Sequence, residues 1–285
     1  MARSLVFLLA ITALHAAPKG DGLGAKHPGD TNISRNPEVI FATQFENDSW
    51  QKKWRGGSRE TVTVTDNNPS QKFAPLQGKA LSIETPKGDH YGASIEFPFT
   101  KTNGGEPTEI FFRYYLRFGD SWNPSGGGKL PGIGGTYGKA GWGGRPSNGL
   151  NGWSARGLFK AQTNGKTPIG YYCYHAEMKG SYGENWVWDR DDLGFLENNR
   201  WYCIEQQVRL NTIGKSDGIL RAWIDGKLAF DKTDVQMRKT EKLKIENIWI
   251  NLYHGGKSPA TSHDQLFIDN LVISRKYIGP MVTKK

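Results

Sequence analysis

The sequence is poor in sulfur-containing residues. Among its 285 residues are four methionines and two cysteines, Cys173 and Cys203. Two cysteines cannot build a disulfide-rich scaffold, and without histidine partners at ligand spacing they do not make a zinc site. The spacing leaves two alternatives open, which are one cross-strand disulfide in an oxidising compartment or two buried thiols.

Long apolar runs are missing beyond the start of the chain. Residues 1–17 read as a secretory signal peptide, in which Arg3 precedes an apolar segment over 5–14 and two alanines follow as a cleavage site. That segment is too short to span a bilayer comfortably, and no later segment is apolar enough to do so. We therefore expect a secreted, soluble protein, extracellular or periplasmic, that does not associate with a membrane.

Segments of helical period and internal repeats are also missing. Residues 18–38 hold several glycines and prolines and are expected to form a flexible leader. From residue 39 to residue 280, short strand-like segments alternate with turn signals, such as the hairpin turn at Asp225-Gly226, and residues 281–285 form a tail. The pattern predicts an all-β domain over 39–280, an antiparallel two-sheet β-sandwich.

Negative charge is in deficit. The chain has 37 lysines and arginines against 28 aspartates and glutamates, so its formal net charge is +9, or +8 (9 − 1) once Arg3 leaves with the signal peptide. Strong positive charge steers anionic partners. No nucleic-acid-binding motif is present, so we expect an anionic polysaccharide outside the cell, and no nucleic acid.

Two strand segments show which side chains share a face. In the segment 110–118 one side is apolar, and the other carries Arg113, Tyr115 and Arg117. If the apolar side packs on the second sheet, these three side chains point to solvent and form a cationic groove wall that binds substrate. The segment 201–210 behaves alike, and its outward Gln207 is a further substrate-binding candidate.

The middle of the chain holds the groups best suited to chemistry. Lys129 ends a glycine-rich turn, Ser154 and Arg156 share one face of a strand, and Tyr172 and Tyr174 share one face of another. If these strands are neighbours, all five side chains line one groove. A fixed positive charge suits the carboxylate of an anionic sugar, and phenols suit proton transfer.

These residues also carry a family resemblance. The motifs Gly-Lys-Leu-Pro-Gly, Trp-Ser-Ala-Arg and Tyr-x-Tyr occur in this order over 128–174, and Tyr-His-Gly-Gly over 253–256 and Phe-Ile-Asp-Asn-Leu-Val over 267–272 follow. Together they resemble the alginate- and glucuronan-cleaving jelly-roll lyases of polysaccharide lyase family 14. The resemblance is specific over 129–174 and weaker over 40–280. It implies that the β-sandwich is a jelly roll with a concave substrate groove. It also implies a polysaccharide lyase that cleaves a uronic-acid polysaccharide by β-elimination, with Lys129, Ser154, Arg156, Tyr172 and Tyr174 in the catalytic groove.

Each of these groups fits a step of β-elimination. Arg156 can pair with a carboxylate in a two-pronged geometry and neutralise it. Tyr172 or Tyr174 can act as base, acid or both, because neighbouring cations favour the phenolate. Lys129 is a candidate base or charge stabiliser, and Ser154 can hydrogen-bond the substrate or orient its neighbours.

The remaining candidates are histidines and carboxylates. Related jelly-roll lyases use a His–Tyr pair, which makes His90 a candidate base and Tyr91 a candidate substrate-binding residue, while His254 either binds substrate or supports a turn. No cofactor is expected to be required, although Glu46 and Asp269 are candidates for a structural calcium site. We expect a monomer.

Two other functions stay open. A jelly-roll glycoside hydrolase needs two positioned carboxylates, but no Glu-x-Asp-x-Glu-like strand is present and Glu205 stands alone among glutamines. A non-catalytic carbohydrate-binding jelly-roll protein would use exposed aromatic side chains and need no base. A serine hydrolase is disfavoured, because Ser154 lacks the Gly-x-Ser-x-Gly context.

Overall fold

The computed structural model describes residues 16–57 and 61–283. The predicted signal peptide therefore lies almost wholly outside the described residues. No helix in the described ranges is long and apolar enough to cross a membrane. The helical elements are short 3-10 turns at Leu23–Lys26, Pro28–Asp30, Ile33–Arg35, Asp48–Lys53, Pro69–Gln71, Phe99–Lys101 and Arg190–Asp192.

The strands follow the alternating segments of the sequence. They are β1 (Val39–Thr43), β2 (Arg55–Gly57), β3 (Val62–Thr65), β4 (Ala80–Thr85), β5 (Tyr91–Pro98), β6 (Glu109–Phe118), β7 (Gly128–Gly135), β8 (Trp153–Phe159), β9 (Lys166–Tyr174), β10 (Glu184–Val187), β11 (Phe195–Glu197), β12 (Tyr202–Arg209), β13 (Gly218–Ile224), β14 (Lys227–Val235), β15 (Asn247–His254) and β16 (Asp264–Ser274). Asp225 and Gly226, both with positive φ, form the predicted hairpin turn between β13 and β14.

The strands form two antiparallel sheets. Sheet A has the order β14-β13-β12-β6-β16-β4-β3, with β1 also paired to β16, and sheet B has the order β10-β9-β8-β7-β15-β5-β2, with β11 also paired to β9. This arrangement confirms the predicted all-β jelly-roll sandwich.

One hydrophobic core fills the space between the sheets. From sheet A, β6 contributes the apolar side that its alternation predicted, and from sheet B the core receives Ile133, Ala155 and Cys173. Buried hydrogen bonds connect the sheets: the Tyr171 hydroxyl donates to the Arg221 carbonyl over 2.7 Å, and both the Gln206 amide (2.8 Å) and the Tyr114 hydroxyl (3.5 Å) donate to the Pro131 carbonyl. These bonds satisfy polar groups that would be costly to bury unpaired.

The two cysteines are free thiols. Cys173 belongs to the core, whereas Cys203 pairs with Tyr115 in the register of β12 and β6 and alternates with the core residues Tyr202 and Ile204. The two sulfurs therefore lie on opposite sides of sheet A and cannot form a disulfide. Burial raises the pKa of both thiols, that of Cys203 to about 12.

The outer face of sheet A is covered, which corrects one expectation from the sequence. Arg113 is fully buried in an ion pair with Asp30, and Tyr115 accepts a hydrogen bond from the Met281 amide over 2.7 Å. The segment 18–38, expected to be a flexible leader, instead packs here beside the C-terminal residues. The prediction that Arg113 and Tyr115 face solvent is wrong because chain segments distant in sequence cover them.

Two further candidates lie on the same covered face. Arg117 donates to the backbone carbonyls of Gln71 and Lys72, and the Gln207 amide donates to Glu109 over 2.6 Å. Both side chains are buried, and Arg117 forms no groove wall. Gln207 lines a concavity on sheet A beside Arg209 and Arg221, without the expected wall of Arg113, Tyr115 and Arg117.

Strand β7 is irregular, and this irregularity places the first candidate catalytic residue. Its register with β8 shifts between Leu130 and Ile133, so a bulge accommodates Pro131, which has no amide hydrogen for the ladder. Lys129 therefore lies in a central strand rather than in the turn that its glycine and proline neighbours predicted. Leu130 faces the core, and Lys129 faces the outer surface of sheet B.

Candidate active site

The outer face of sheet B forms an open cleft of about 320 Å³. Its floor comes from β5, β7, β8, β9 and β15, and its walls come from Trp142 in the glycine-rich β7–β8 loop and from Tyr182 in the β9–β10 loop. Among the described residues that line it there is no aspartate or glutamate. The lining consists of cations, phenols, indoles, amides and glycines, which suits an anionic, ring-shaped ligand.

Arg156 supplies a buried cation in the cleft floor. Its guanidinium carbon lies 4.8 Å from the Trp249 ring centroid and 5.7 Å from that of Tyr172, and Nη1 lies 3.4 Å from the Asn251 side-chain oxygen. Its Nε has no hydrogen-bond partner within the described chain. Burial lowers the pKa of Arg156 to about 10, so the group is still charged at neutral pH and keeps donors free for a carboxylate.

Lys129 lies next to this cation. Its Nζ is 3.7 Å from the centroid of the Tyr172 ring, and the side chain is buried. Burial lowers the pKa of Lys129 to about 7, and the positive charge of Arg156 adds to the effect. A substantial fraction of Lys129 is therefore neutral at physiological pH and able to accept a proton.

The two tyrosines lie on the neighbouring strand. Tyr172 pairs with Arg156 and Tyr174 with Ser154 in the register of β8 and β9, and the two phenol rings are 5.5 Å apart, edge to face. The Gly183 amide donates to the Tyr172 hydroxyl over 3.2 Å, and burial raises the pKa of Tyr172 above its ordinary value. The Tyr174 hydroxyl lies beside Tyr172 and makes no hydrogen bond of regular geometry in the described structure, so it is available to a ligand in the cleft.

Ser154 is placed differently from the other four residues. It is fully buried, and its hydroxyl donates to the Gly141 carbonyl over 2.7 Å. Gly141 precedes the cleft-wall residues Trp142 and Gly143. Ser154 therefore holds the β7–β8 loop in place through this hydrogen bond and is not placed to contact the substrate.

Three cleft residues on β15 were missed by the sequence reasoning. The Trp249 indole donates to Ser94 over 3.1 Å, the Asn251 amide donates to the Ala93 carbonyl over 2.9 Å, and Tyr253 lies beside them. The signal that could have found them is the alternation in 247–254, where Ile248, Ile250 and Leu252 face the core.

The predicted His90–Tyr91 pair is divided between two environments. Tyr91 is 56% exposed and lines the cleft, with its ring 4.7 Å from that of Tyr253. A bulge at Gly92 places Tyr91 opposite Tyr253, on the cleft side. His90 does not line this cleft: its Nδ1 lies 2.9 Å from the His254 carbonyl, which fixes the ring at the cleft edge.

His254 lies beneath the cleft floor. It is buried beside Trp122 and Phe159, and its Nε2 is 3.2 Å from an oxygen of Asp264. Burial lowers the pKa of His254 to about 4, with a contribution from His90. The ring is therefore neutral at physiological pH, and its position is that of a supporting residue, not of a substrate ligand.

The cleft continues past Lys129. A second basin of about 460 Å³ shares Lys129, Tyr172, Gly255 and Gly256 with the first and extends to Lys160 and Asn185. The two basins together form an open trench, which suits a polymer better than a small molecule.

Glu46 and Asp269, the calcium candidates, accept hydrogen bonds from one short loop. The Lys79 amide donates to Glu46 and the Gln77 amide donates to Asp269, each over 3.3 Å. Burial raises the pKa of Asp269 to about 8, and the charge of Glu46 adds to it. Hard carboxylate oxygens suit calcium. Within the described ranges no group of three or more histidine, cysteine or acidic side chains could hold a metal, so backbone carbonyls or water would have to supply the remaining ligands beside this pair.

The fold and the cleft define a jelly-roll protein with an open trench of cations and aromatic side chains on one sheet. The family described as polysaccharide lyase 14 matches residues 76–267. The chain therefore belongs to polysaccharide lyase family 14, and it is a polysaccharide lyase. No curated protein matches the chain significantly.

Solved structures of low sequence identity share the fold. A variant of alginate lyase Aly36B in complex with an alginate tetrasaccharide is similar with a TM-score of 0.68 and 17% identity, covering 87% of this chain and 99% of that one. The marine alginate lyase from Aplysia kurodai has a TM-score of 0.62 and 18% identity, with 82% and 97% coverage. The alginate lyase vAL-1 from Chlorella virus has a TM-score of 0.63 and 18% identity, with 84% and 100% coverage.

Proposed function

We propose that this lyase is secreted and that it cleaves an anionic uronic-acid polysaccharide, of the alginate or glucuronan type, by β-elimination. The observation that carries the proposal is Lys129, an amine with a pKa of about 7 beside the Arg156 cation, in a cleft whose described lining contains no carboxylate. This combination serves proton abstraction next to a bound carboxylate. It does not serve glycoside hydrolysis, which needs a carboxylate pair.

Arg156 binds and neutralises the carboxylate on C5 of the uronate. Its Nε has no hydrogen-bond partner in the described chain, and its Nη1 makes only a long hydrogen bond, of 3.4 Å, to the Asn251 side chain. Guanidinium donors are therefore available to the substrate. The amide of Asn251 is already anchored on the Ala93 carbonyl, which leaves its oxygen to hold Arg156. Neutralising the carboxylate makes the C5 proton more acidic, because charge that develops during abstraction spreads onto the carboxylate.

Lys129 then accepts the C5 proton in its neutral form. The C5–H electrons form the C4=C5 double bond, the C4–O4 bond breaks, and O4 leaves with its electron pair. A phenol of the Tyr172–Tyr174 pair donates its proton to O4, since burial keeps Tyr172 protonated. Solvent afterwards takes the proton from Lys129 and restores the tyrosine.

The alginate and glucuronan type of substrate rests on the chemistry of the cleft and on the relatives. The structural relatives are named as alginate lyases, and one is described with an alginate tetrasaccharide. In this chain, the net charge of +9 favours an anionic polymer. The aromatic lining by Tyr91, Trp249 and Tyr253 offers surfaces for sugar rings.

Incubation with a panel of alginate, glucuronan and glycosaminoglycans in ¹⁸O-labelled water tests the reaction. Elimination gives new non-reducing ends that are lighter by one water molecule and carry no ¹⁸O, whereas hydrolysis gives saturated ends and incorporates the label. Saturated, labelled products would overturn the elimination mechanism. Tight binding of the same polymers without cleavage would favour a carbohydrate-binding protein.

Secretion, the monomeric state and the calcium site complete the proposal. The N-terminal sequence predicts secretion, and Glu46 with Asp269 would hold calcium away from the chemistry. After treatment with a chelator, the parent protein should show a higher melting temperature when calcium is added back. A Glu46→Gln variant should show no such increase. A melting temperature unaffected by calcium in the parent protein would remove the metal from the account.

A further inference from the structure

A second concave site shares no lining residue with the cleft. It is a cavity of about 400 Å³ between the start of β1, the end of β5, the turn after β5 and the residues after β16. Lys52, Lys53, Lys101 and Arg275 surround it, and no aspartate or glutamate is among the described residues that line it. We call it the rear cavity.

The cations of the rear cavity are not neutralised by the protein. Within the described chain, none of the four has an acidic side chain within 4.0 Å, although the surface carries several such pairs elsewhere. Arg275 donates to the Asn103 carbonyl over 3.0 Å, and Lys53 lies 5.8 Å from the Phe41 ring centroid. Four like charges around one concavity repel one another, and an anion bound there relieves the repulsion.

The walls of the rear cavity are suited to a sugar as well as to a charge. Pro37, Val39 and Ile40 contribute apolar surface, and Thr102 and Asn103 contribute polar groups. Lysine side chains add aliphatic stems that cover apolar surface while the ammonium groups stay in water. A uronate residue presents the same combination of an apolar ring face, hydroxyls and a carboxylate.

The rear cavity is separate from the catalytic cleft. Tyr91 and Ser94 of β5 line the cleft, and Phe97 and Pro98 at the end of the same strand line the rear cavity. The interval from Ser94 to Phe97 is three residues of extended strand, or about 10 Å. The two sites share no lining residue, so a sugar unit bound in one lies outside the other.

We infer that the rear cavity is a second, non-catalytic binding site for a segment of anionic polyuronate. It would hold the enzyme on the polymer while the cleft acts on another segment or another chain. The choice of a polyuronate rests on the proposed function, whereas the preference for a carboxylated chain rests on the cavity alone. Two linked sites raise the effective concentration of the polymer at the cleft.

The triple variant Lys52→Ala/Lys53→Ala/Lys101→Ala tests this inference. All three side chains are exposed, so we expect the melting temperature to be retained. For this variant, the concentration of polymeric alginate at half-saturation should rise about tenfold at low salt, because three exposed ion pairs of modest strength are lost. Its kcat/KM on the shortest alginate oligosaccharide that the parent cleaves, which is the substrate least able to reach both sites, should equal that of the parent.

The matched control is Lys215→Ala/Lys227→Ala/Lys242→Ala, which removes the same charge from exposed positions elsewhere. If both triple variants weaken polymer binding equally, net charge and not the rear cavity is responsible, and the inference is wrong. It is also wrong if neither weakens binding, or if the first variant loses activity on the shortest cleaved oligosaccharide. Polymer binding should also be measured for both triple variants combined with Arg156→Ala. Such proteins need not cleave the polymer to bind it, so a difference between them tests the rear cavity even if the proposed reaction is wrong.

Discussion

At the residue scale, the central feature is the contrast between two buried cations in one cleft. Burial lowers the pKa of Lys129 to about 7, so it exchanges a proton near neutrality, whereas Arg156, with a pKa of about 10, remains a fixed charge. One group is therefore suited to take a proton and the other to hold a carboxylate. The distinction depends on burial, which no pattern in the sequence reveals.

Arg156→Lys keeps a positive charge but loses the two-pronged geometry and the flat contact with Trp249. Activity should fall by about a hundredfold, as expected when a stabiliser of developing charge is removed. The measurement is kcat/KM on polyuronate beside the melting temperature, which should stay near that of the parent. Parental activity in this variant would show that a point charge suffices and that the guanidinium geometry has no catalytic importance.

Tyr174→Phe removes one hydroxyl and almost no volume. If the unpartnered hydroxyl gives a proton to O4, turnover should fall by about a hundredfold or more while oligosaccharide binding stays nearly unchanged. Rates and direct binding should be measured with the same oligosaccharide, with Tyr172→Phe as the comparison. A Tyr174→Phe protein with parental turnover would assign the acid role to Tyr172.

Lys129, Arg156, Tyr172 and Tyr174 could be placed in the cleft from the sequence. Strand alternation puts the two tyrosines on one face of their strand, and the order of the motifs predicts that this strand lies beside that of Arg156. Ser154 shares a face of its strand with Arg156, but the loop carbonyl that it binds is provided by tertiary packing. Trp249, Asn251 and Tyr253 alternate as clearly as the predicted residues do. Their place in the cleft depends on the pairing of β15 with β5 and β7, which the alternation within one strand does not predict.

At the element scale, the β9–β10 loop determines how the two tyrosines sit. The Gly183 amide binds the Tyr172 hydroxyl, and a Cβ atom at Gly183 would lie 2.9 Å from the Tyr174 ring and 3.0 Å from the Tyr172 ring. Only glycine therefore fits at this position without displacing a ring.

Gly183→Ala should push both phenol rings out of place and reduce kcat by about tenfold or more, since small misplacements of reacting groups are costly. Gly180→Ala in the same loop is the control, because the nearest atoms to its added Cβ are 3.8 Å away. Progress curves on one polyuronate and melting temperatures of both variants provide the measurement. Equal kcat values for the two variants would mean that the loop has no part in positioning the tyrosines.

Strands β7 and β6 each have a feature that the sequence pattern does not predict. Strand β7 contains Pro131 and several glycines, residues that ordinarily argue against a central strand, and the bulge that tolerates them depends on neighbouring strands. On β6 the alternation correctly separated the core side from the other side. It could not show that Asp30 and Met281, distant in sequence, cover the outer face and remove Arg113 and Tyr115 from solvent.

At the scale of the whole molecule, the N-terminal segment and the C-terminal residues close sheet A together. The Ile278 and Gly279 amides donate to Glu205, each over 2.8 Å, and Asp30 also accepts from the Asn270 side chain over 2.9 Å. These contacts cover the outer face of sheet A around Arg113 and Tyr115, whereas sheet B keeps an open cleft.

Asp30→Asn should destabilise the protein by about 3 kcal/mol, because Arg113 then stays charged and buried without a compensating carboxylate. Denaturant unfolding measures the loss, and the exposed Asp66→Asn is the control with the same chemical change. The rate of the folded Asp30→Asn protein on polyuronate should match the parent, since the pair lies on the other sheet. Equal stability of both variants would contradict the buried ion pair.

The most direct test of elimination by Lys129 is the ultraviolet absorbance of the C4=C5 double bond, recorded with alginate and glucuronan between about pH 5 and pH 10. Lys129 must be neutral to accept a proton, so kcat/KM should rise as the pH passes about 7 and then level off. The carboxylate of a bound substrate raises the pKa of the Lys129 amine, so kcat should rise at a higher pH than kcat/KM does. Absence of the double bond at every pH, or an optimum below about pH 5, would contradict the account.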